Sequence, residues 1–307
     1  MLSGKRNTDA LTRALIITNP AAARTRPGIV SVIMETFRAG GWQAELAATG
    51  GPGDARRLAQ EGVNAGVDAV VVFGGDGTTM QAAASLVGTE VNLGLIPGGT
   101  GNLLAGNLRI PASPARAAAA LLKSRVRRID LGRMDRPDGV HYFAVACGSG
   151  YDARVMAETP GAQKRRWGMA AYVATTLRLI RELKCAKYVI TVDGTEYSAD
   201  AAMVLVANCG EVIPPYIRLG PGIAPDDGLL DVVVVRANGF GQGVRAIWDL
   251  FRTHPPIGSG GSVGFARGRE VRVVATPAQP AQLDGEPGGL TPFTATVVPH
   301  AINVLAP

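Results

Sequence analysis

The 307-residue sequence predicts an α/β N-terminal domain with a mostly parallel sheet, followed by a mainly antiparallel β-sandwich C-terminal domain. Three observations carry this expectation. Up to about residue 127, short apolar runs alternate with segments of helical period, which calls for crossover connections and a parallel sheet. From Arg128 onward the apolar runs become β-branched and divided by turns, as in an all-β unit. The 40 glycines follow no collagen-like period and so mark tight turns and close backbone contacts. With 47% apolar and 18% charged residues, the chain is able to bury a sizeable core.

Residues 14–18 read as a buried strand stopped by Asn19-Pro20. Residues 27–39 read as a helix, with Ile29, Val30, Ile33, Met34 and Phe37 at helix spacing and Gly40-Gly41 as its stop. Residues 42–48 suit a second strand and 53–61 a second helix. The continuous apolar run 69–73 is that of a strand buried on both faces. A helix over 78–87, a strand over 93–96 and an alanine-rich helix over 114–122 complete the first domain, residues 1–127. Strands at 142–146, 188–192, 202–207, 230–235 and 271–275 form the second, residues 128–291, and the tail from about 292 to 307 is available to return to the first. Two helical stretches interrupt them, 165–183 and 243–252. In the latter, Val244, Ile247, Trp248 and Phe251 are expected to face the core, with rest on a membrane surface as the alternative.

A net charge of +6 and a pI near 9.5 suit an anionic partner, either a nucleotide or an acidic membrane surface, with a merely basic exterior as the equal alternative. Nucleic acid is disfavoured, because aromatics are only 5% and no basic stretch is interleaved with them. Three scattered cysteines give no disulfide framework and fit a reducing cytoplasm, and three scattered histidines give no zinc site. The apolar stretch 14–17 is too short for a signal peptide, and no run approaches the ~18 apolar residues of a membrane span. The expectation is a soluble cytoplasmic protein. An exposed strand edge in the second half leaves pairing into a homodimer open.

Chemistry concentrates in two glycine loops. In the segment 70–79, a buried strand runs into Gly74-Gly75-Asp76-Gly77-Thr78 and then a helix. Glycines there let backbone amides approach a ligand, and the helix end suits phosphate. Asp76 would repel that phosphate unless a cation such as Mg²⁺ came with it. The next strand ends in a second loop, Pro97-Gly98-Gly99-Thr100-Gly101-Asn102, expected to form the opposite wall of one cleft. Two ligand-free tight turns are the plain alternative. The chain holds no GxxxxGK[ST], and Met80 stands where GxGxxG needs its third glycine.

Together with Leu283-Asp284-Gly285-Glu286, these loops resemble the diacylglycerol kinase and sphingosine kinase catalytic family, its bacterial lipid kinase branch in particular. The resemblance runs from Ile16 to about Val304. The first loop alone is shared with NAD kinases; the three motifs in this order are specific to the family. The resemblance implies a Rossmann-like first domain of the NAD-kinase and diacylglycerol-kinase type that binds nucleotide, and a second that takes the lipid. It implies ATP and Mg²⁺, with transfer of the γ-phosphate to a hydroxyl of diacylglycerol or a related glycerolipid or sphingoid base. The enzyme would work in peripheral contact with an anionic membrane.

By the same resemblance, Asn19, Thr49, Gly74, Gly75, Asp76, Gly77, Thr78, Gly98, Gly99, Thr100 and Asn102 surround the nucleotide, with a strand-ending turn residue as the equal alternative for Thr49. The glycine that usually follows the Asn-Pro turn is replaced by Ala21-Ala22-Ala23-Arg24. Glu286 is implied as the base, worth roughly 10²–10⁴ in rate, with Asp284 assisting or holding Mg²⁺ beside Asp76. A polar hairpin turn is the plain reading of the same four residues. Asp130 resembles an acid linked through water to Asp76. Asp227, with the carbonyls of Ala224 and Leu229, resembles a second, structural Mg²⁺ site, with a solvated Asp-Asp-Gly turn entering a strand as the alternative. Arg166, in Lys164-Arg165-Arg166, resembles a basic residue that reaches phosphate, with a solvated basic turn as the alternative. Two other functions stay in view. One is an NAD or sugar-phosphate kinase, for which no Asn-Glu pair of the NAD-kinase kind is found. The other is a non-catalytic nucleotide or lipid carrier, which the presence of every required acid disfavours.

Overall fold

The computed structural model describes residues 12–136, 139–151, 153–154, 184–213, 217–220, 222–252 and 254–307. The predicted helix over 165–183 and the basic Lys164–Arg166 stretch lie outside them.

Strands β1 (Arg13–Thr18), β2 (Gln43–Ala48), β3 (Ala69–Gly74) and β4 (Asn92–Pro97) pair in parallel, in the order β2-β1-β3-β4. Every residue of β3 and β4 is buried, which is why their sequences are continuous apolar runs. Helices α1 (Pro27–Ala39), α2 (Asp54–Asn64), α3 (Asp76–Leu86), α4 (Leu103–Asn107) and α5 (Pro114–Leu121) follow the strands in turn. Helix α1 packs against α5, and α2 against α3. Pro27 starts α1 at a position where its missing N–H costs nothing, and Trp42 stacks on Phe37 at its far end, with ring centroids 5.0 Å apart. Because β2 and β3 flank β1 on opposite sides, strand order reverses there. In such sheets a crevice opens beyond the strand ends at the reversal.

The second half is an antiparallel sandwich. One layer continues the first sheet. The long strand β18 (Phe293–Ala306) runs parallel to β4 at Asn303 and Val304, and antiparallel to β5 (Arg125–Arg136). Its first residues pair with β15 (Glu270–Thr276), which pairs in turn with β8 (Ala186–Val192) and through it β9 (Thr195–Ala201). A short β6 (Gly139–Phe143) lies on β5, where Phe143 fills the space above Gly132. The predicted boundary near Arg127 falls inside β5.

The other layer has the order β14-β13-β10-β7-β16-β17. Its strands are β7 (Ala146–Gly150), β10 (Met203–Ala207), β13 (Leu230–Val235), β14 (Val263–Gly268), β16 (Pro280–Leu283) and β17 (Glu286–Leu290). Leu230, Val232 and Val234 point between the layers, toward Tyr188, Ile190 and Val273, while Val233 joins the core on the outer face. Burial on both faces explains the unbroken valine run.

A small hairpin, β11 (Glu211–Ile213) with β12 (Ile217–Arg218), reaches the first domain through Glu211. This buried carboxylate takes the guanidinium groups of Arg109 and Arg218. Helix α6 (Gly239–Arg252) begins four residues before its predicted start. Its expected orientation is corrected at Val244 and Trp248, which are 48% and 61% exposed, whereas Ala246 and Leu250 are buried; the side chains of Ile247 and Phe251 lie outside the described residues. The small Ala246 lets that flank approach the sheet closely, which periodicity of large residues does not register.

Candidate active site

Strand β3 delivers the first glycine loop, and α3 begins at Asp76, two residues earlier than expected. The Thr79 N–H donates to Gly75 O at 3.0 Å, so the N–H groups of Gly77 and Thr78 lie in the helix's open first turn. They point out of the sheet end with the positive pole of the helix dipole behind them. Asn19, at the end of β1, is tied to this turn: its Nδ2 donates to Thr78 Oγ1 at 3.0 Å. Its Oδ1 accepts the Ala21 N–H at 2.9 Å, so the Asn-Pro turn closes on its own side chain where the family's glycine is missing.

The second loop departs from the expectation. The N–H groups of Gly98 and Gly99 both donate to Gly74 O, at 2.8 and 3.2 Å. A Cβ on Gly99 would stand 2.6 Å from Gly75 Cα, and one on Gly98 3.1 Å from Gly74 Cα. The two loops are therefore not opposite walls of a cleft but one continuous wall. Their mutual contact is what requires Gly98 and Gly99. Asn102, in the left-handed region at φ 51°, closes the second loop with both ends of its amide on Gly99. Thr100 is exposed at the loop's tip. Asp76 braces the pair: its carboxylate accepts the Asn102 N–H at 2.7 Å and the Leu103 N–H at 2.6 Å.

Beside this wall, at the strand-order reversal, lies a cleft of about 490 Å³. It is lined by Asn19, Thr49, Gly50, Gly51, Thr78 and Gln81, among others. The Thr49 N–H donates to Thr18 O, holding the end of β2 against β1. Two residues that sequence reading missed shape the cleft. Asp54 accepts the Gly50 and Gly51 N–H groups at 2.7 and 3.0 Å, and these bonds hold its carboxyl below the usual range. Gln81 Oε1 accepts the Gly53 N–H at 3.2 Å. The signal for Asp54 was its place in the first turn of α2 just after a Gly-Gly pair. For Gln81 it was its position one helical turn beyond Thr78.

From the second domain comes the β16–β17 hairpin. Asp284 and Gly285, at φ 46° and 84°, form the two-residue turn between Leu283 and Glu286. The Asp-Gly pair makes the hairpin turn that the plain reading of this motif expects. Gln282 Oε1 fixes the turn by accepting the Gly285 N–H at 2.8 Å. Asp284 points inward and accepts the N–H groups of Ala144, Val145 and Ala146 at 2.7 to 2.9 Å. Burial pushes its carboxyl up to about 6 against the pull of those N–H groups, and the charge of Asp76 adds to the rise. Burial also raises Asp76, opposed by the Leu103 and Asn102 N–H groups and reinforced by Glu286. Glu286 is exposed, and its Oε1 lies 3.8 Å from where a Gly77 Cβ would stand. Asp76, Asp284 and Glu286 thus converge from two domains on the open turn of α3.

The remaining predicted residues lie apart from this group. Asp130 is fully buried; its carboxylate accepts the Gly228 N–H and the His300 N–H, both at 2.7 Å, which pins the 225–229 turn to β18. Asn208 Nδ2 links the Asp130 and Ala144 carbonyls at 2.9 and 2.8 Å, so the junction is continuous with the segment that holds Asp284. Asp227 accepts the Leu229 N–H and has the Arg267 guanidinium 3.4 Å away. The same arginine also pairs with Asp231 at 2.8 Å, which ties the 225–229 turn to β13 and β14. Arg166 lies outside the described residues.

Residues 13–134 match the family described as "Diacylglycerol kinase catalytic domain", and residues 145–306 match "YegS C-terminal NAD kinase beta sandwich-like domain". A Pseudomonas fluorescens protein named "Probable lipid kinase YegS-like" is 33% identical over 91% of this chain and 90% of its own length. The chain belongs to the diacylglycerol kinase-like lipid kinases. A lipid kinase relative from Mycobacterium tuberculosis, "Diacylglycerol kinase", is 30% identical over 83% of this chain and 82% of that one. A crystal structure described as "a putative diacylglycerol kinase from Bacillus anthracis str. Sterne" superposes with a TM-score of 0.79 at 25% identity, covering 98% of both chains. As a lipid kinase this chain is a phosphotransferase, and both halves of its site come from matched segments.

Proposed function

We propose that this chain transfers the γ-phosphate of ATP, with Mg²⁺, to a hydroxyl of diacylglycerol or a related glycerolipid or sphingoid base. The supporting observation is the approach of Glu286 and Asp284 to the open first turn of α3 behind Asp76. The nucleotide occupies the cleft beside Asn19, Thr49 and Thr78, with its phosphates at the N–H groups of Gly77 and Thr78. The donor set fits Mg²⁺, since the nearby carboxylates offer only oxygen and their mutual repulsion favours a cation. Asp76 would hold the ion, which would neutralise charge on the transferring phosphoryl group.

Glu286, exposed to an incoming substrate, accepts the proton of the lipid hydroxyl as that oxygen takes the phosphoryl group and ADP leaves. Asp284, with both oxygens committed to backbone N–H groups, instead positions the turn that presents Glu286. Use of ATP and a lipid acceptor would suit a chain that works in the cytoplasm, peripherally at a membrane surface, and the +6 charge suits an anionic one.

The test is transfer of radiolabelled phosphate from ATP to a total lipid extract, with NAD as a competing acceptor and products identified by mass spectrometry. Magnesium-dependent label in a glycerolipid or sphingoid base is expected. Label in NAD, or none in lipid, would overturn the assignment.

A further inference from the structure

Helix α6 carries Phe240, Val244 and Trp248 at four-residue intervals, so they form one row along the helix. They are 52%, 48% and 61% exposed. The other large exposed apolar side chains among the described residues occur singly on their elements: Val32, Leu46, Val126, Val140, Val189 and Leu290. The row is therefore a built face and not the ordinary scatter of surface hydrophobes. On the opposite flank, Ala246 and Leu250 share one core with Leu205, Val233 and the Ala144–Ala146 segment that holds Asp284. The helix is thus anchored over the site's own sheet while presenting apolar surface outward.

Charge selects the occupant. Arg245, next to Val244, is 78% exposed and lies 3.6 Å from Asp249. Two half-exposed aromatics and a valine offer on the order of 300 Å², short of the roughly 800 Å² per partner of a standard protein interface. Tryptophan and phenylalanine beside arginine are instead the makings of a helix that lies in a bilayer interface.

We propose that the Phe240–Val244–Trp248 row is the face by which this chain rests on an anionic lipid bilayer, with Arg245 against the headgroups. The inference rests on the lipid-kinase reading, for which such a surface is where the acceptor resides.

The test is co-sedimentation of the full chain with phosphatidylcholine vesicles, with and without phosphatidylglycerol. It compares wild type, the double variant Phe240→Ser with Trp248→Ser, and Arg245→Glu. Wild type is expected to pellet with the anionic vesicles. The double variant should bind at least tenfold more weakly with an unchanged melting temperature, and Arg245→Glu should lose the preference for anionic lipid. All three should phosphorylate a short-chain, water-dispersed diacylglycerol alike. Unchanged vesicle binding by a folded, active double variant would overturn the membrane face and leave the kinase reading intact. Absence of transfer to any lipid by wild type would sink that reading instead. A double variant that binds vesicles normally but changes from dimer to monomer would make the row a contact between copies and also overturn the proposal.

Discussion

Asp284 and Glu286 flank a single glycine, yet the hairpin turn sends one carboxylate into three backbone N–H groups and leaves the other exposed. Glu286→Gln keeps size and polarity but cannot accept a proton. It should lower kcat by about 10²–10⁴ with ATP affinity unchanged, as read by steady-state kinetics and calorimetric titration. Asp284 should reveal itself through pH. Its carboxyl titrates near 6 in the fold and near 3.9 in an unfolded chain. Between those values the folded state binds a proton that the unfolded state has released, so this group adds stability as pH falls. The contribution is complete below the lower value and is lost as pH rises through the higher, a difference on the order of 3 kcal/mol. The melting temperature of metal-free wild type should therefore rise relative to Asp284→Asn on going from pH 7 to pH 5. A pH-independent difference would contradict the burial of its charge.

At the scale of elements, the two glycine loops act as one piece. Gly99→Ala would put a methyl 2.6 Å from Gly75 Cα, where only backbone movement relieves it. Thermal denaturation should show a loss of about 1–3 kcal/mol, accompanied by weaker ATP binding. Gly51→Ala, which meets nothing within 4 Å, should change stability little. The strands β3 and β4, the loops after them and the Asp-Gly turn were all legible in the sequence, because burial on both faces and turn chemistry leave local signatures. What was not legible depended on partners distant in sequence. That Gly98 and Gly99 face another loop is set by β3–β4 register, and that Asp54 and Gln81 shape the cleft is set by how α2 and α3 pack. The start of α3 at Asp76 came too late in the reading, because three glycines in five residues mask a helix end. The outward turn of α6 follows from Ala246, whose small side chain allows the close approach that Val244 and Trp248 do not.

At the scale of the whole molecule, one sheet runs from β2 to β9 through β18, and Asp130 and Asn208 lock its centre to the Ala144–Ala146 segment that holds Asp284. The domains are thereby held so that an acid of the first stands beside an acid of the second. The most direct measurement is a crystal structure of the chain with Mg²⁺ and a non-hydrolysable ATP analogue. The triphosphate should lie at the first turn of α3, with the metal at Asp76 and Glu286 facing the terminal phosphate. A nucleotide bound elsewhere, or a terminal phosphate turned away from Glu286, would contradict the shared site.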